Sequence, residues 1–395
     1  MNLFLSSLVI LEIFIAILGT FSILRKKHYT IAESFCFSTI LILTIYSLSI
    51  QLFFLARIHQ YYYLFDIGIL SFSSFQIWKN KKIIFSSFEV FVQSSIWQTN
   101  KFISFILIFI SSYLFLQSFL LPPSNWDALT YNLARVLMFQ EEGSLFLKNF
   151  STYRQVMHPW GYDILSFLFL RFYSDYGLAV FSFLSYIVVI AGTYALVRKI
   201  FNNANLSLTT SFIIASLTGL ILQAVTTKND IPMAAVVVVC FLAAYNFYST
   251  KKYFDFYIIV VAILFGLSVK SYFLGFLVPF LFFYALLLMN SIKRRNNISR
   301  KAAKGAKYAK FYRLFTVQFT LRSWLPLSRV LGKKQKGFFG VVSTLFVSTL
   351  LQNKFTGQCK RKSTIVKEIL HSDHPGEVRE KRNTVFSTTF SACIS

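Results

Sequence analysis

The stretch "KFISFILIFISSYLFLQSFLLPPSNWDALTYNLARV", residues 101–136, decides the fold class. Its first twenty residues are mostly apolar, which is about the length that a helix needs to cross a bilayer core of about 30 Å. Pro122 and Pro123 then stop the helix, because proline cannot continue one. Asp127 follows almost at once. The stretch therefore predicts a membrane helix that delivers an ionisable group to the membrane surface.

The whole chain has the composition of a membrane protein. Of its 395 residues 55% are hydrophobic and only 14% are charged, whereas roughly a quarter are charged in soluble domains. We predict an all-α fold, a polytopic transmembrane helical bundle of about nine spans with an outer loop of short amphipathic interfacial helices. The first apolar run is followed, not preceded, by basic residues, so it is interpreted as a span and not as a cleaved signal. The predicted spans are 3–24, 32–55, 61–78, 102–121, 176–197, 206–225, 232–249, 254–270 and 272–290.

Basic residues predict the orientation, since loops rich in Lys and Arg stay cytoplasmic. With the N-terminus outside, one side of the membrane collects the clusters "RKKH" (25–28), "KNKK" (79–82), "RK" (198–199) and "KK" (251–252). Segment 122–175 and turn 226–232 then share the non-cytoplasmic side. We expect a multi-pass protein of the bacterial inner or plasma membrane with its N-terminus outside.

Charge divides the chain into two parts. Residues 1–290 hold 18 basic and 11 acidic residues, whereas residues 291–395 hold 22 and 4. The excess charge therefore lies in a basic tail of unknown fold, and no nucleic-acid partner is predicted. Two hypotheses for the tail stay open: an aberrant end produced by an interrupted or shifted reading frame, or an interfacial tail attracted to anionic lipid.

The segment that follows the fourth predicted span contains three polar residues that are expected to form a stripe on a helix. Asp127, Tyr131 and Arg135 are four residues apart, a spacing that puts them on one face of a helix. The pattern from Ser124 to Asp127 also fits a capping box, in which the acid reaches back to the first turn. Capping and catalysis are compatible roles, so both interpretations of Asp127 stay open.

Polar residues also cluster in "YRQVMHPWGYD" (153–163). Arg154 suits a phosphate, because its guanidinium is planar and always charged, and His158 lies beside a Pro-Trp-Gly turn. The alternative is an ordinary polar surface loop.

Two lysines and an acid follow in later segments. "TKND" (227–230) supplies Lys228 and Asp230 between two apolar runs, although such a turn is also ordinary loop chemistry. Lys270 lies at the outer end of a span, where an ionisable group is either functional or reaches out to the interface.

These motifs, in their order and spacing, resemble a known family. "PPSNWDALTYNLARV", "YRQVMHPWGYDIL", "TKNDIPMAA" and "FGLSVKSYFLGFLVPF" look like the polyprenyl-phosphate-dependent integral-membrane glycosyltransferases of the GT-C type, related to protein O-mannosyltransferases and the bacterial aminoarabinose transferase. The resemblance covers about residues 100–290, so 1–290 is predicted to be a transmembrane glycosyltransferase-like domain. It implies inverting transfer of a sugar from a polyprenyl-phosphate donor to an acceptor at the non-cytoplasmic face.

The resemblance also implies roles for residues. Asp127 matches the acid that acts as general base on an acceptor hydroxyl or amine, and Asp230 matches the acid of a second outer loop. The predicted substrate-binding residues are Tyr131, Arg135, Arg154, His158, Lys228 and Lys270. The expected partners are the polyprenyl-phosphate sugar donor and membrane lipid. No cofactor is expected, although Asp127 and Asp230 could share a divalent cation. The cysteines Cys36, Cys240, Cys359 and Cys393 lie far apart and indicate neither a disulfide framework nor a zinc site.

The chain departs from the family pattern in several places. Asn132 stands where relatives often have His, and Pro159 stands alone where they have two prolines. The basic tail replaces the further spans and outer domain of such enzymes, so a chain that truly ended there would be a truncated, inactive relative. Two other functions stay open: a transporter or flippase for lipid-linked sugars, which would show interrupted helices or inverted repeats, and a non-catalytic membrane subunit.

Overall fold

The computed structural model describes residues 2–92, 100–123, 125–147, 154–250 and 252–297, and in these ranges every regular element is a helix. The helices are α1 (Asn2–Lys26), α2 (Ile31–Leu55), α3 (Tyr63–Lys79), α4 (Lys81–Val92), α5 (Lys101–Leu120), α6 (Leu133–Glu142), α7 (Arg154–Met157), α8 (Phe167–Leu170), α9 (Val180–Phe201), α10 (Ala204–Ala215), α11 (Thr218–Ala224), α12 (Asp230–Thr250), α13 (Tyr253–Val269) and α14 (Phe273–Asn297). Short 3₁₀ turns cover His59–Tyr61 and Asp163–Ser166, and a π-helical turn covers Ala128–Asn132. Beyond Asn297, the predicted basic tail lies outside the described residues.

Within the described ranges, five helices are long and apolar enough to cross a membrane: α1, α2, α5, α9 and α12. The predicted span 206–225 is divided into α10 and α11, which meet at a 67° bend and together could form a sixth. The α13 helix and the part of α14 over Phe273–Leu286 are shorter apolar helices. The predicted all-α polytopic fold is confirmed, and the chain is an integral membrane protein.

The loops gather at two ends of the bundle. At one end, the basic face, the Nζ of Lys252 donates to the carbonyl of Lys27 over 3.4 Å, and Lys199 pairs with Glu33 at 2.8 Å. At the other end, the site face, Asn2 donates to the carbonyl of Tyr173 over 3.0 Å. The described parts of the outer segment 122–175 and of turn 226–232 both lie at the site face.

Helix α3 tolerates an acid because the acid has a partner. The Oδ2 of Asp66 lies 2.6 Å from Nη1 of Arg171, and both side chains are 12% exposed. Close packing holds the same helix against α1, since a Cβ on Gly19 would lie 2.9 Å from the Cα of Ser73. Ion pairing and backbone approach therefore compensate for the short, interrupted apolar run.

The second short helix of the outer segment does not lie on the membrane surface. Residues 161–170 are all buried, and the 3₁₀ turn and α8 contact α1, α2 and α6. The run "ILSFLFL" (164–170) is apolar on every side, and a helix of that kind is buried within a protein. The sequence alone predicts that the stretch 160–173, which is too short to span a bilayer, either lies flat on the membrane or re-enters it, and the structure is closer to the re-entrant arrangement.

Helix α9 organises the bundle by packing against α2, α5, α10 and α12. Helices α12 and α13 form an antiparallel pair beside it. This frame brings four separate chain segments to the site face: the turn after α5, the loop before Asp163, the turn before α12 and the turn after α13.

Candidate functional site

The turn after α5 orients Asp127. The side-chain oxygen of Asn125 accepts the amide N–H of Ala128 over 2.7 Å, so Asn125 caps the new helical segment. Ser124, the other half of the predicted capping box, lies outside the described residues. The Asp127 carboxylate is directed to another part of the chain, where its Oδ2 lies 3.7 Å from Nζ of Lys228.

A π-helical turn separates the predicted stripe of three residues. The N–H of Leu133 donates to the carbonyl of Ala128, five residues earlier, so the turn is wider than an α-helical one. Residues four apart therefore no longer stack in line. Single π turns are frequent at functional sites, and here the turn lets Asp127 and Arg135 face different surroundings.

Arg135 is committed to the protein interior. Its side chain is 0% exposed, donates to the carbonyls of His158 over 2.7 Å and Pro159 over 2.8 Å, and pairs with Asp163. Burial raises the pKa of the Asp163 carboxyl, and the charge of Arg135 opposes that rise. The predicted stripe placed Arg135 at the open site. In the structure, Arg135 instead fastens the loop 158–163 to the helix that carries Asp127.

The predicted residues of that loop lie in different environments. His158 is half-buried, and its ring centroid lies 5.9 Å from that of Tyr131, so these two candidates are neighbours. The Nε2 of Gln155 donates to the carbonyl of Thr130 over 3.2 Å and ties α7 to the π turn. Arg154 begins α7, but its side chain lies outside the described part of the chain.

The turn before α12 supplies one lysine and one acid. Asp230 is the first residue of α12, and its carboxylate pairs with Lys270. The side-chain amide of Asn229 donates to the carbonyl of Val269 over 3.2 Å, so the turn is held against the end of α13 at two points. Sequence reasoning took Asn229 only as ordinary turn chemistry.

The turn after α13 is fixed on its other side by the loop 158–163. The N–H of Gly161 donates to the carbonyl of Ser268 over 2.8 Å, and a Cβ on Gly161 would lie 2.8 Å from that same oxygen. Only glycine permits so close an approach of two backbones. Sequence reasoning did not single out this contact, although glycine in a Pro-Trp-Gly turn is a usual signal of backbone constraint.

The structure therefore brings four of the predicted residues into one group. Asp127 contacts Lys228. Asp230, which follows Lys228 by two residues in the chain, contacts Lys270. The four side chains are 28–43% exposed, so they remain open to a ligand. His158 and Tyr131 belong to the adjoining loop and π turn, and the buried Arg135 lies behind them.

Across the described residues, no group of three or more His, Cys, Asp and Glu side chains is placed to hold a metal ion. Each of the two acids contacts a lysine instead. The expected sharing of a divalent cation by Asp127 and Asp230 stays a prediction.

The class of protein is a multi-pass helical membrane protein with an ionisable cluster at one end of the bundle. Residues 154–308 match the family model described as dolichyl-phosphate-mannose-protein mannosyltransferase. The match confirms the family resemblance in that segment and supports a membrane glycosyltransferase of the GT-C type. It includes Lys228, Asp230 and Lys270 but not Asp127. No curated protein and no solved structure matches the chain.

Proposed function

We propose that the chain transfers a sugar from a polyprenyl-phosphate donor to an acceptor at the non-cytoplasmic face, with inversion at the anomeric carbon. The observation that carries the proposal is the contact of Asp127 with Lys228. It joins the acid that follows α5 to the turn that carries Asp230, and Asp230 in turn pairs with Lys270. Two acids and two cations from three distant segments therefore lie together.

The residue types suit the two halves of a displacement. Asp127 accepts the proton of the acceptor hydroxyl or amine as the new bond to the anomeric carbon forms, which is typically worth about 10²–10⁴ in rate. The bond from that carbon to the phosphate oxygen breaks, and its electron pair leaves with the polyprenyl phosphate. Lys228 and Lys270 stabilise the phosphate charge, with Arg154 as a third candidate cation. Asp230 pairs with Lys270 before the donor binds.

The distribution of charge supports the sidedness of the reaction. Basic residues collect at the ends of α1, α3 and α9, which meet at the basic face, and such residues stay in the cytoplasm. The site face is then non-cytoplasmic, with the N-terminus outside, in a plasma or bacterial inner membrane. The polyprenyl chain lies in lipid while its phosphate reaches the site at the interface.

The buried pair of Arg135 and Asp163 has a positioning role in this proposal. Arg135 donates to the backbone carbonyls of His158 and Pro159 and also contacts the carboxylate of Asp163 in the same loop. It thereby fixes the distance between that loop and the π turn behind Asp127. Tyr131 and His158, whose rings are neighbours, are the candidates for contact with the sugar or the acceptor.

The test uses the full-length protein reconstituted in vesicles with polyprenyl-phosphate-mannose carrying a labelled sugar, or with a nucleotide-linked sugar as control. Membranes of the producing cell supply acceptors. We expect release of polyprenyl phosphate with the lipid-linked donor, and none in vesicles without protein. Label transferred from the nucleotide sugar alone would contradict the donor class.

One observation favours a second function. The 67° bend between α10 and α11 is an interrupted helix, which is typical of transporters. A flippase would move the intact lipid-linked sugar to the other leaflet without cleaving it. In the same vesicles, movement without release of polyprenyl phosphate would favour the flippase over the transferase.

A further inference from the structure

The two lysines proposed to bind phosphate already hold anions of the chain itself. Nζ of Lys228 lies 3.7 Å from Oδ2 of Asp127, and Nζ of Lys270 pairs with Oδ1 of Asp230. The group contains two positive and two negative side chains, so it is balanced without a ligand. A phosphate that binds here competes with the two carboxylates for the lysines.

The exposure of these two lysine–carboxylate pairs allows a ligand to replace the carboxylates. Lys228 and Asp127 are 37% and 36% exposed, whereas the structural pair of Arg135 and Asp163 is almost completely buried. Exposed lysine–carboxylate pairs contribute little to stability. A donor phosphate can accept charge-assisted hydrogen bonds from both lysines at once, so it can displace the acids.

We propose that the donor phosphate takes Lys228 and Lys270 from Asp127 and Asp230, so that donor binding itself releases the acid that deprotonates the acceptor. The inference rests on the proposed function. The carboxylate of Asp127 stays directed at Lys228 until a donor takes that lysine, so the donor binds before the acceptor is activated.

The same exchange helps to release the product. The donor is a phosphodiester with one negative charge, whereas the product is a phosphomonoester that carries close to two at neutral pH. Two lysines alone would hold the product more tightly than the donor. Asp127 and Asp230 compete with the product for these lysines, and re-formation of the two pairs expels polyprenyl phosphate from the site.

The test measures binding of farnesyl phosphate, a short-chain prenyl phosphomonoester, to the full-length protein in detergent by calorimetry. We expect Lys228→Gln to weaken binding and Asp127→Asn to tighten it about three- to fivefold, as loss of a competing exposed pair allows. Asp175→Asn, which removes an exposed acid from the same outer segment, is the matched control and should leave affinity within about twofold.

The double variant that combines Lys228→Gln with Asp127→Asn distinguishes exchange of the lysine from a general effect of removing a negative charge. In the Lys228→Gln background, Asp127→Asn should bring no gain, because the lysine for which the acid competes is gone. An equal gain with and without Lys228, or no gain from Asp127→Asn in the wild-type background, would overturn the exchange. If farnesyl phosphate does not bind the wild-type protein, both the phosphate site of the proposed function and the exchange fail. If it binds through Lys228 but Asp127→Asn does not tighten it, only the exchange fails.

Discussion

The Nζ of Lys228 lies 3.7 Å from the Oδ2 of Asp127, although 101 positions separate the two residues in the chain. The contact joins the first turn after α5 to the turn before α12. It is the point at which two acid-bearing loops of the site face meet. The roles proposed for Asp127, Lys228, Asp230 and Lys270 all depend on it.

Breaking the buried pair of Arg135 and Asp163 should destabilise the fold strongly. Asp163→Asn leaves the fully buried guanidinium without its counter-charge, which typically costs about 3–5 kcal/mol, and Arg135→Met leaves the carboxylate in the same position. We expect the double variant to be less destabilised than the sum of the single ones by about 1–3 kcal/mol. Denaturant unfolding in detergent measures this coupling, and strictly additive losses would contradict it.

Gly161 should not tolerate a side chain. A Cβ there would lie 2.3 Å from Oγ of Ser268 and 2.8 Å from its backbone oxygen, so Gly161→Ala should cost about 1–3 kcal/mol and lower transfer by misplacing the loop. Gly68→Ala is the control, because no heavy atom lies within 4 Å of its added Cβ, and it should be neutral or slightly stabilising. Thermal unfolding of the two variants compares them, and equal midpoints would contradict the packing argument.

His59 should make the fold sensitive to acid. Its ring stacks on Phe54 with centroids 4.8 Å apart, and burial lowers its pKa. Because the folded pKa is below the unfolded one of about 6.5, the unfolded chain takes up the proton first as pH falls. Stability from this source is therefore complete above about pH 6.5 and decreases below it. We expect His59→Phe to lose less thermal stability between about pH 7.5 and 5.5 than the wild type, and an identical loss would contradict this.

The sidedness predicts a labelling pattern in intact cells. Ser271 lies exposed at the site face and Lys26 lies exposed at the basic face, whereas Cys36 and Cys240 are fully buried. In a chain with Cys359 and Cys393 replaced by Ser, a membrane-impermeant maleimide should label Ser271→Cys in intact cells and Lys26→Cys only after lysis. The reverse pattern would place the site in the cytoplasm.

Much of the fold could be predicted because membrane helices correspond to long apolar runs in the sequence. The structure has helices at every predicted span, and the helix through Asp127 ends at "EEG", where Gly143 adopts a φ of 61°. The bend inside span 206–225 could not be predicted, because no proline or charged residue marks it.

The sequence indicated where the candidate site lies, but it did not indicate which cation each acid contacts. Hydropathy and charge assign Asp127 and Asp230 to one side of the membrane, but they do not show which cation each acid contacts. The burial of Arg135 depends on Asp163, 28 positions away, and on a π turn that regular helical spacing does not anticipate. Regular helical spacing directed Arg135 to the open site, whereas the structure buries it, and its assignment to substrate binding stays a prediction.

The most direct test of the account is the rate of sugar transfer by Asp127→Asn from a polyprenyl-phosphate-linked donor, measured in vesicles beside Asp175→Asn. Asparagine keeps the shape of the side chain but cannot accept the proton. We predict a loss of at least about a hundredfold for Asp127→Asn, with folding and membrane insertion unchanged, and near wild-type transfer for Asp175→Asn. Transfer by Asp127→Asn within about twofold of the wild type would contradict the assignment of Asp127 as the base.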